Sequence, residues 1–223
     1  MPRSREFDVD ETLERAMTLF WERGYEATSV QDLVERTGVN RSSLYSVYGD
    51  KQGVFLAVLD RYRDRVVSRR LCDLEKPHSA LAEVRGYFEG LAEPGAGEQI
   101  RHGCLMTNSA VEQAPRDALS AQRIRAHLER LESAFGSALE RAQERREIRQ
   151  DTDVDDLARY LTGSAQGLGV MARAGSSMVS LGGVVRGVLA TLEQAETEPK
   201  KKPKLAGTKT RTGGKGRRDH DEH

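Results

Sequence analysis

The stretch from Thr28 to Lys51 constrains the fold more than any other part of the chain. Its start and stop signals lie too close together for anything but short helices joined by tight turns. Thr28 is a capping residue type, with Gln31 placed as its reciprocal partner in a capping box. Val30, Leu33 and Val34 give that helix an apolar side, and Gly38 ends it. Asn40 opens a second helix, which carries Leu44, Tyr45 and Tyr48 and stops at Gly49. Two short helices around a Thr37-Gly38-Val39 turn form a helix-turn-helix. In that motif the second helix lies in the major groove, with its first residues on the base edges.

The side chains suit that task. Arg41, in the first turn of the second helix, has the fork that matches guanine O6 and N7. Ser42 and Ser43 are short donors beside it, and Tyr45 and Ser46 follow one turn on. Thr28 and Ser29 sit where a helix N-terminus meets a phosphate. Tyr48 and the Lys51 ammonium complete the expected contact set. The charge count runs the other way. Residues 1–50 hold six Arg, no Lys and ten Asp or Glu, so the head is net acidic. Reading DNA must therefore rest on where Arg41 and Lys51 stand rather than on a broad positive field, with Arg3 and Arg5 as further candidates.

The rest of the chain is also helical in period, and β-branched residues do not gather into strands. An all-α fold is expected. Asp8, with Glu11 three residues on, starts a first helix whose apolar side is Leu13, Ala16, Met17, Phe20 and Trp21. Gly24 ends it. Asp50 caps a fourth helix carrying Val54, Phe55, Val58, Leu59 and Tyr62. Longer helices are expected near 79–92, 104–114, 117–147, 153–174 and 177–196, with breaks at Pro94-Gly95-Ala96-Gly97, at Pro115 and near Asp151. Three regions follow: a three-helix DNA-binding head over 1–52, a sensing and dimerisation body over 53–197, and a tail over 198–223. The tail has nine Lys or Arg against four Asp or Glu and a single large aliphatic, Leu205, which is the composition of a disordered basic extension or auxiliary DNA arm. Two cysteines, Cys72 and Cys104, argue against a disulfide framework and for a reducing, cytoplasmic setting. No run is long and apolar enough for a membrane span.

The segment TSVQDLVERTGVNRSSLYSVYGDKQGVF resembles the DNA-binding signature of TetR-type repressors. Thr28-Ser29-Val30, Gly38-Val39, Leu44-Tyr45 and Lys51 carry the likeness. Val47 departs from it, standing where the family often has His or Tyr. The resemblance implies a head, a connecting fourth helix, and a helical body that dimerises and binds an inducer. The expected partners are thus double-stranded operator DNA, a second copy of the chain and a small-molecule or electrophilic inducer, with no cofactor and no metal. An inducer releases DNA by favouring a head spacing that no longer matches two half-sites one turn apart.

Within the body, glycines and alanines recur from Tyr160 to Leu192, notably Gly163, Gly167, Gly169, Gly182, Gly183 and Gly187. They suggest close helix approach, as in a four-helix interface between subunits, or poor helicity near Gly182-Gly183; the bland alternative is a loosely packed intrachain pair. The segment His102-Gly103-Cys104-Leu105 is similar to a Gly-Cys-Leu stretch in family members that sense electrophiles or oxidants. A cysteine in the first turn of a helix is favoured as thiolate, so Cys104 is a candidate sensor; its bland alternative is a small buried hydrophobe. A non-covalent pocket is the other option, with Tyr87, Phe88, Cys104, Met106, Asn108, His127, Phe135, Tyr160 and Gln166 as candidate lining. From other classes, an enzyme built on Cys104 with His102 or His127, or an interaction module without DNA binding, remains open. The chain offers no phosphate loop, nucleophile elbow or zinc-type ligand set to support the first.

Overall fold

The computed structural model describes residues 7–92 and 101–197. The Pro94–Gly97 break, Arg3, Arg5 and the basic tail lie outside them. The fold is all-α, and the extended pairing among the described residues is one isolated bridge between Ile148 and Glu196.

The head is α1 (Val9–Arg23), α2 (Val30–Thr37) and α3 (Arg41–Tyr48). Each begins on a side chain that accepts from orphan N–H groups: Asp8 from Asp10 and Glu11, Ser29 from Asp32, and Asn40 from Ser43. The α2 start corrects the expectation by one residue. Ser29 and Asp32 form the reciprocal box, whereas Thr28 donates its hydroxyl to the Gly24 carbonyl at 2.7 Å and is fully buried. Asp32 closes a tighter box here than Gln31 would from one residue earlier. Gly38 ends α2 in the left-handed region, at φ 74°. Phe20, Leu33, Leu44 and Phe55 lie at the centre of the head, all essentially inaccessible.

From Asp50 the chain enters α4 (Lys51–Tyr62), packed along α1. That helix does not stop at Tyr62. It continues through a π-helical turn, Arg63–Val67, into α5 (Ser68–Leu71). The π turn inserts about one residue relative to an α-helical turn, which changes the face presented beyond it. The body then comprises α6 (Leu81–Ala92), α7 (Leu105–Glu112), α8 (Ala118–Glu144), α9 (Val154–Arg173) and α10 (Met178–Ala195). α8 lies along α9, and α10 packs on α6. α10 runs unbroken through Gly182-Gly183, against the alternative of poor helicity, because Leu181, Val185, Val188 and Leu192 on its buried side hold it in place.

The described carboxylates of the head are paired or used as caps. Arg61 on α4 reaches Asp10 at 2.9 Å and Glu14 at 2.5 Å, Arg36 pairs with Glu22, Arg23 with Asp32, Arg15 with Glu11 and Arg116 with Glu26. Glu35 accepts from the Gln31 amide. Most of these pairs are solvent-exposed and add little stability individually. Their consequence is positional, because α3 itself carries no acid and Arg41 is its single charge.

Candidate DNA-reading face and effector cavity

Leu44 points into the head core, which turns the opposite side of α3 outward. Arg41, Ser42, Ser46 and Val47 are exposed there, with Ser43 and Tyr45 half-buried between them. The Arg41 guanidinium lies over the Tyr45 ring, 5.1 Å from its centroid, so each stiffens the other. Asn40 Oδ1 accepts from the Ser42 hydroxyl at 2.7 Å and from the Ser43 N–H at 2.8 Å, which locks the first turn. Lys51 stands over the Tyr25 ring at 4.2 Å. Ser29 is exposed at the α2 start; Tyr48 is half-buried against the core. Thr28 has no open surface to offer a phosphate.

A cavity lies in the body beside the head. The space open to the centre of a water-sized sphere is about 50 Å³, room for a ligand of a few heavy atoms rather than a large drug. Its wall combines Tyr62, Val67, Arg70 and Leu71 from the α4–α5 rod with Tyr87 and Leu91 of α6, Gly103 and Cys104 ahead of α7, and His127 and Leu131 of α8. Ala165, Gln166, Leu168, Gly169 and Ala172 of α9 and Leu181 of α10 close it. Cys104, His127, Gln166 and Tyr87 thus meet as expected. Five expected lining residues do not. Tyr160 is 45% exposed on the outer side of α9. Phe88 and Phe135 stack on one another at 5.6 Å in the adjacent core. Met106 is buried away from the cavity wall, and Asn108 donates to the His102 carbonyl at 2.9 Å.

Cys104 is the N-cap of α7 rather than part of its first turn. Its sulfur is 3.9 Å from His127 Nε2. Burial alone would raise the thiol's pKa; the His127 imidazole and Thr107 outweigh it and bring the thiol down to about 6. The Tyr62 phenol is driven the other way, well above its ordinary value, by burial and by the neighbouring sulfur. It therefore stays a neutral hydroxyl. His127 is 7% exposed, and its Nδ1 has no hydrogen-bond partner. Gly103 has φ 67°, and a Cβ there would lie 2.6 Å from the Gly169 carbonyl. Gly169 is thus an intrachain seat for the Cys104 segment, not part of an outer face.

The same segment touches the head at both ends. At one end, Trp21 Nε1 donates to the Gly103 carbonyl at 3.0 Å, and the Trp21 carbonyl accepts from Arg173 at 2.7 Å. The Trp21 ring packs edge-on against Tyr62 of the cavity, 5.1 Å between centroids. At the other, Glu112 ends α7 with its carboxylate accepting from the N–H groups of Tyr25 at 2.9 Å and Glu26 at 2.7 Å. α7 is a two-turn strut between the cavity thiol and the turn that follows α1.

This architecture has known counterparts. Residues 13–58 match the bacterial regulatory proteins of the tetR family, and residues 80–187 match the tetracyclin repressor-like C-terminal domain. The HTH-type transcriptional repressor ComR of Escherichia coli is 37% identical over 183 residues, covering 80% of this chain and 86% of ComR. The chain belongs to the TetR family. It is a DNA-binding transcriptional regulator, and the TetR family is one of regulators rather than catalysts. The HTH-type regulator YezE of Bacillus subtilis is 36% identical, over 80% of this chain and 92% of YezE. Among solved structures, the TetR family regulator CifR, a cysteine mutant complexed with a 26-bp operator duplex, superposes with a TM-score of 0.75. It is 28% identical and covers 84% of this chain and 98% of CifR. Among the described residues no helix is long and apolar enough to cross a membrane, and no cluster of three or more metal-ligating side chains occurs.

Several residues of this TetR-type site gave no signal in the sequence. Val67, Arg70 and Leu71 join Tyr62 at the cavity because of the π turn; as a continuous α-helix the rod would show the cavity a different set beyond Tyr62. In the sequence Gly103 is only a neighbour of Cys104; its close contact with Gly169 joins residues far apart in the chain.

Proposed function

We propose that the chain is a homodimeric repressor that holds two operator half-sites through α3 and lets go when a small electrophile is captured by Cys104. The observation that carries this reading is that one short helix has the cavity thiol at its start and the head's backbone at its end, in Glu112. An adduct at Cys104 has about 50 Å³ to occupy and must push on Gly103 or on α7 itself. Both are hydrogen-bonded to the head, through Trp21 and through Tyr25 and Glu26. Couplings of this kind are typically about 1–3 kcal/mol, a several-fold to hundredfold change in operator affinity.

The chemistry suits an α,β-unsaturated carbonyl compound. The Cys104 sulfur forms a bond to the β-carbon, the π pair moves to the α-carbon, and that carbon takes up the proton that leaves the thiol, relayed by the neighbouring His127 Nε2. No oxidant is needed. On the DNA side, Arg41, Ser42, Ser43, Tyr45 and Ser46 read or brace the major groove, while Ser29, Tyr48 and Lys51 flank it at the backbone. Support for the dimer comes from the outer side of α9 and α10, where Gly163, Gly167, Gly183 and Gly187 are exposed beside Val170 (51%) and Val179 (80%). The test is a gel shift on the DNA upstream of the protein's own gene, with and without acrolein. Wild-type protein should release the duplex and Cys104→Ser should not. A Cys104→Ser protein that responds like wild type ends the thiol reading.

A further inference from the structure

Arg70 sets the cavity apart from an ordinary apolar hole. It is half-buried, and no carboxylate or hydrogen-bond partner holds its guanidinium among the described residues. The other arginines that are not fully exposed there, such as Arg61, Arg85, Arg123, Arg130, Arg141 and Arg173, each have an acceptor. A partly desolvated, unpaired cation is costly unless something else neutralises it.

Its position says what that something is. Arg70, Tyr87 and Leu91 line both the cavity and an open surface groove of about 560 Å³, so together they form the partition between them. Elsewhere in the groove the charges already have partners. Lys76 pairs with Asp73 at 2.5 Å, and Glu83 accepts from the Ala80 N–H. Inside the cavity, Cys104 caps α7 while His127 and Gln166 sit on α8 and α9, elements other than the one that carries Arg70. The His127 Nδ1 is buried without a partner.

We propose that the cavity takes short organic anions, with a carboxylate on the Arg70 guanidinium and the carbon skeleton running past Tyr87 and Leu91 toward Cys104 and His127. This inference rests on the sensing role given to the cavity and names its ligand class: a small acid that carries an electrophilic carbon. A guanidinium fork matches a carboxylate in two hydrogen bonds, which an uncharged amide of the same size cannot reproduce.

The experiment compares iodoacetate with iodoacetamide, nearly isosteric reagents that differ in charge. Both form the same sulfur–carbon bond as iodide leaves with its electron pair. Rates at Cys104 are read by peptide mass on the full-length protein, with N-acetylcysteine as the reference thiol. The iodoacetate-to-iodoacetamide rate ratio at Cys104 should exceed the reference by about fivefold or more. It should fall to within about twofold of the reference in Arg70→Gln and be largely kept in Arg70→Lys. A wild-type ratio equal to that of the reference thiol overturns the proposal even if Arg70→Gln does not fold. If neither reagent reaches Cys104, the thiol chemistry fails, and calorimetric titration with propionate and propionamide decides the anion site alone. Propionate should bind, propionamide should bind more weakly, and Arg70→Gln should erase the difference. Equal binding of the two overturns the proposal.

Discussion

The head and the cavity use the chain in opposite ways. The reading face is local: Asn40 caps α3, Leu44 anchors it, and Arg41 and Tyr45 are fixed by their neighbours within one and a half turns. The cavity is assembled from residues between Tyr62 and Leu181 on separate helices. A local site tolerates change elsewhere and fails when its own residues change. An assembled site depends on how whole helices lie against one another, and that dependence makes it responsive to a ligand.

The largest expected effect falls at the joint between the two. A Cβ on Gly53 would stand 1.7 Å from the Tyr48 carbonyl oxygen, so Gly53→Ala must displace the α3–α4 turn. It should destabilise the protein by about 2–4 kcal/mol and abolish operator binding. A melting temperature within error of wild type would contradict that geometry. Next comes Arg41→Ala, which leaves the core intact. It should weaken operator binding by about 10- to 100-fold with no change in thermal stability. An equal loss on unrelated duplexes would reassign Arg41 from base reading to phosphate contact.

Glu112→Ala sharpens the comparison, because it removes both acceptors of the strut without touching either site. Operator affinity should change by a few-fold at most, and Cys104 should alkylate as before. The loss of affinity caused by alkylation, expected at about 5- to 150-fold in wild type, should shrink toward none. Full retention of that loss would mean that the signal travels through Trp21 instead.

The smallest effect is a titration. Thiolate at Cys104 grows as pH rises through about 6, so its iodoacetamide rate should climb with pH and level off near neutrality. His127→Ala should move the inflection upward, toward the ordinary thiol value of 9.0. The linked stability has the sign of a depressed group: it is present above the unfolded thiol's pKa and lost as pH falls through about 6. A wild-type rate still rising steeply well above neutrality would contradict the His127 contact.

Legibility in the sequence follows the same division. Capping residues and glycine stops act over a few positions, so α1, α3 and α4 begin where Asp8, Asn40 and Asp50 place them. The single-residue shift at Ser29 arose because two adjacent residues were both good caps. The body helices could be read from period and breaks, but not which of their side chains share a cavity. Tyr160 and Gln166 are both on α9, yet one faces outward and the other faces Thr107, a matter of rotation about an axis that only packing fixes. Nothing in the composition announces a π turn, and nothing around Arg70 in the sequence marks it as cavity lining.

That loosened turn also bears on how specificity can change. Rewinding Arg63–Val67 as plain α-helix with no residue removed would swing everything beyond it by about 100°. Tyr62 and the reading head would keep their places while Val67, Arg70 and Leu71 gave way to their neighbours as the chamber's lining. One substitution that closes the turn would thus replace several changes in the lining, retuning what is recognised while the operator stays the same.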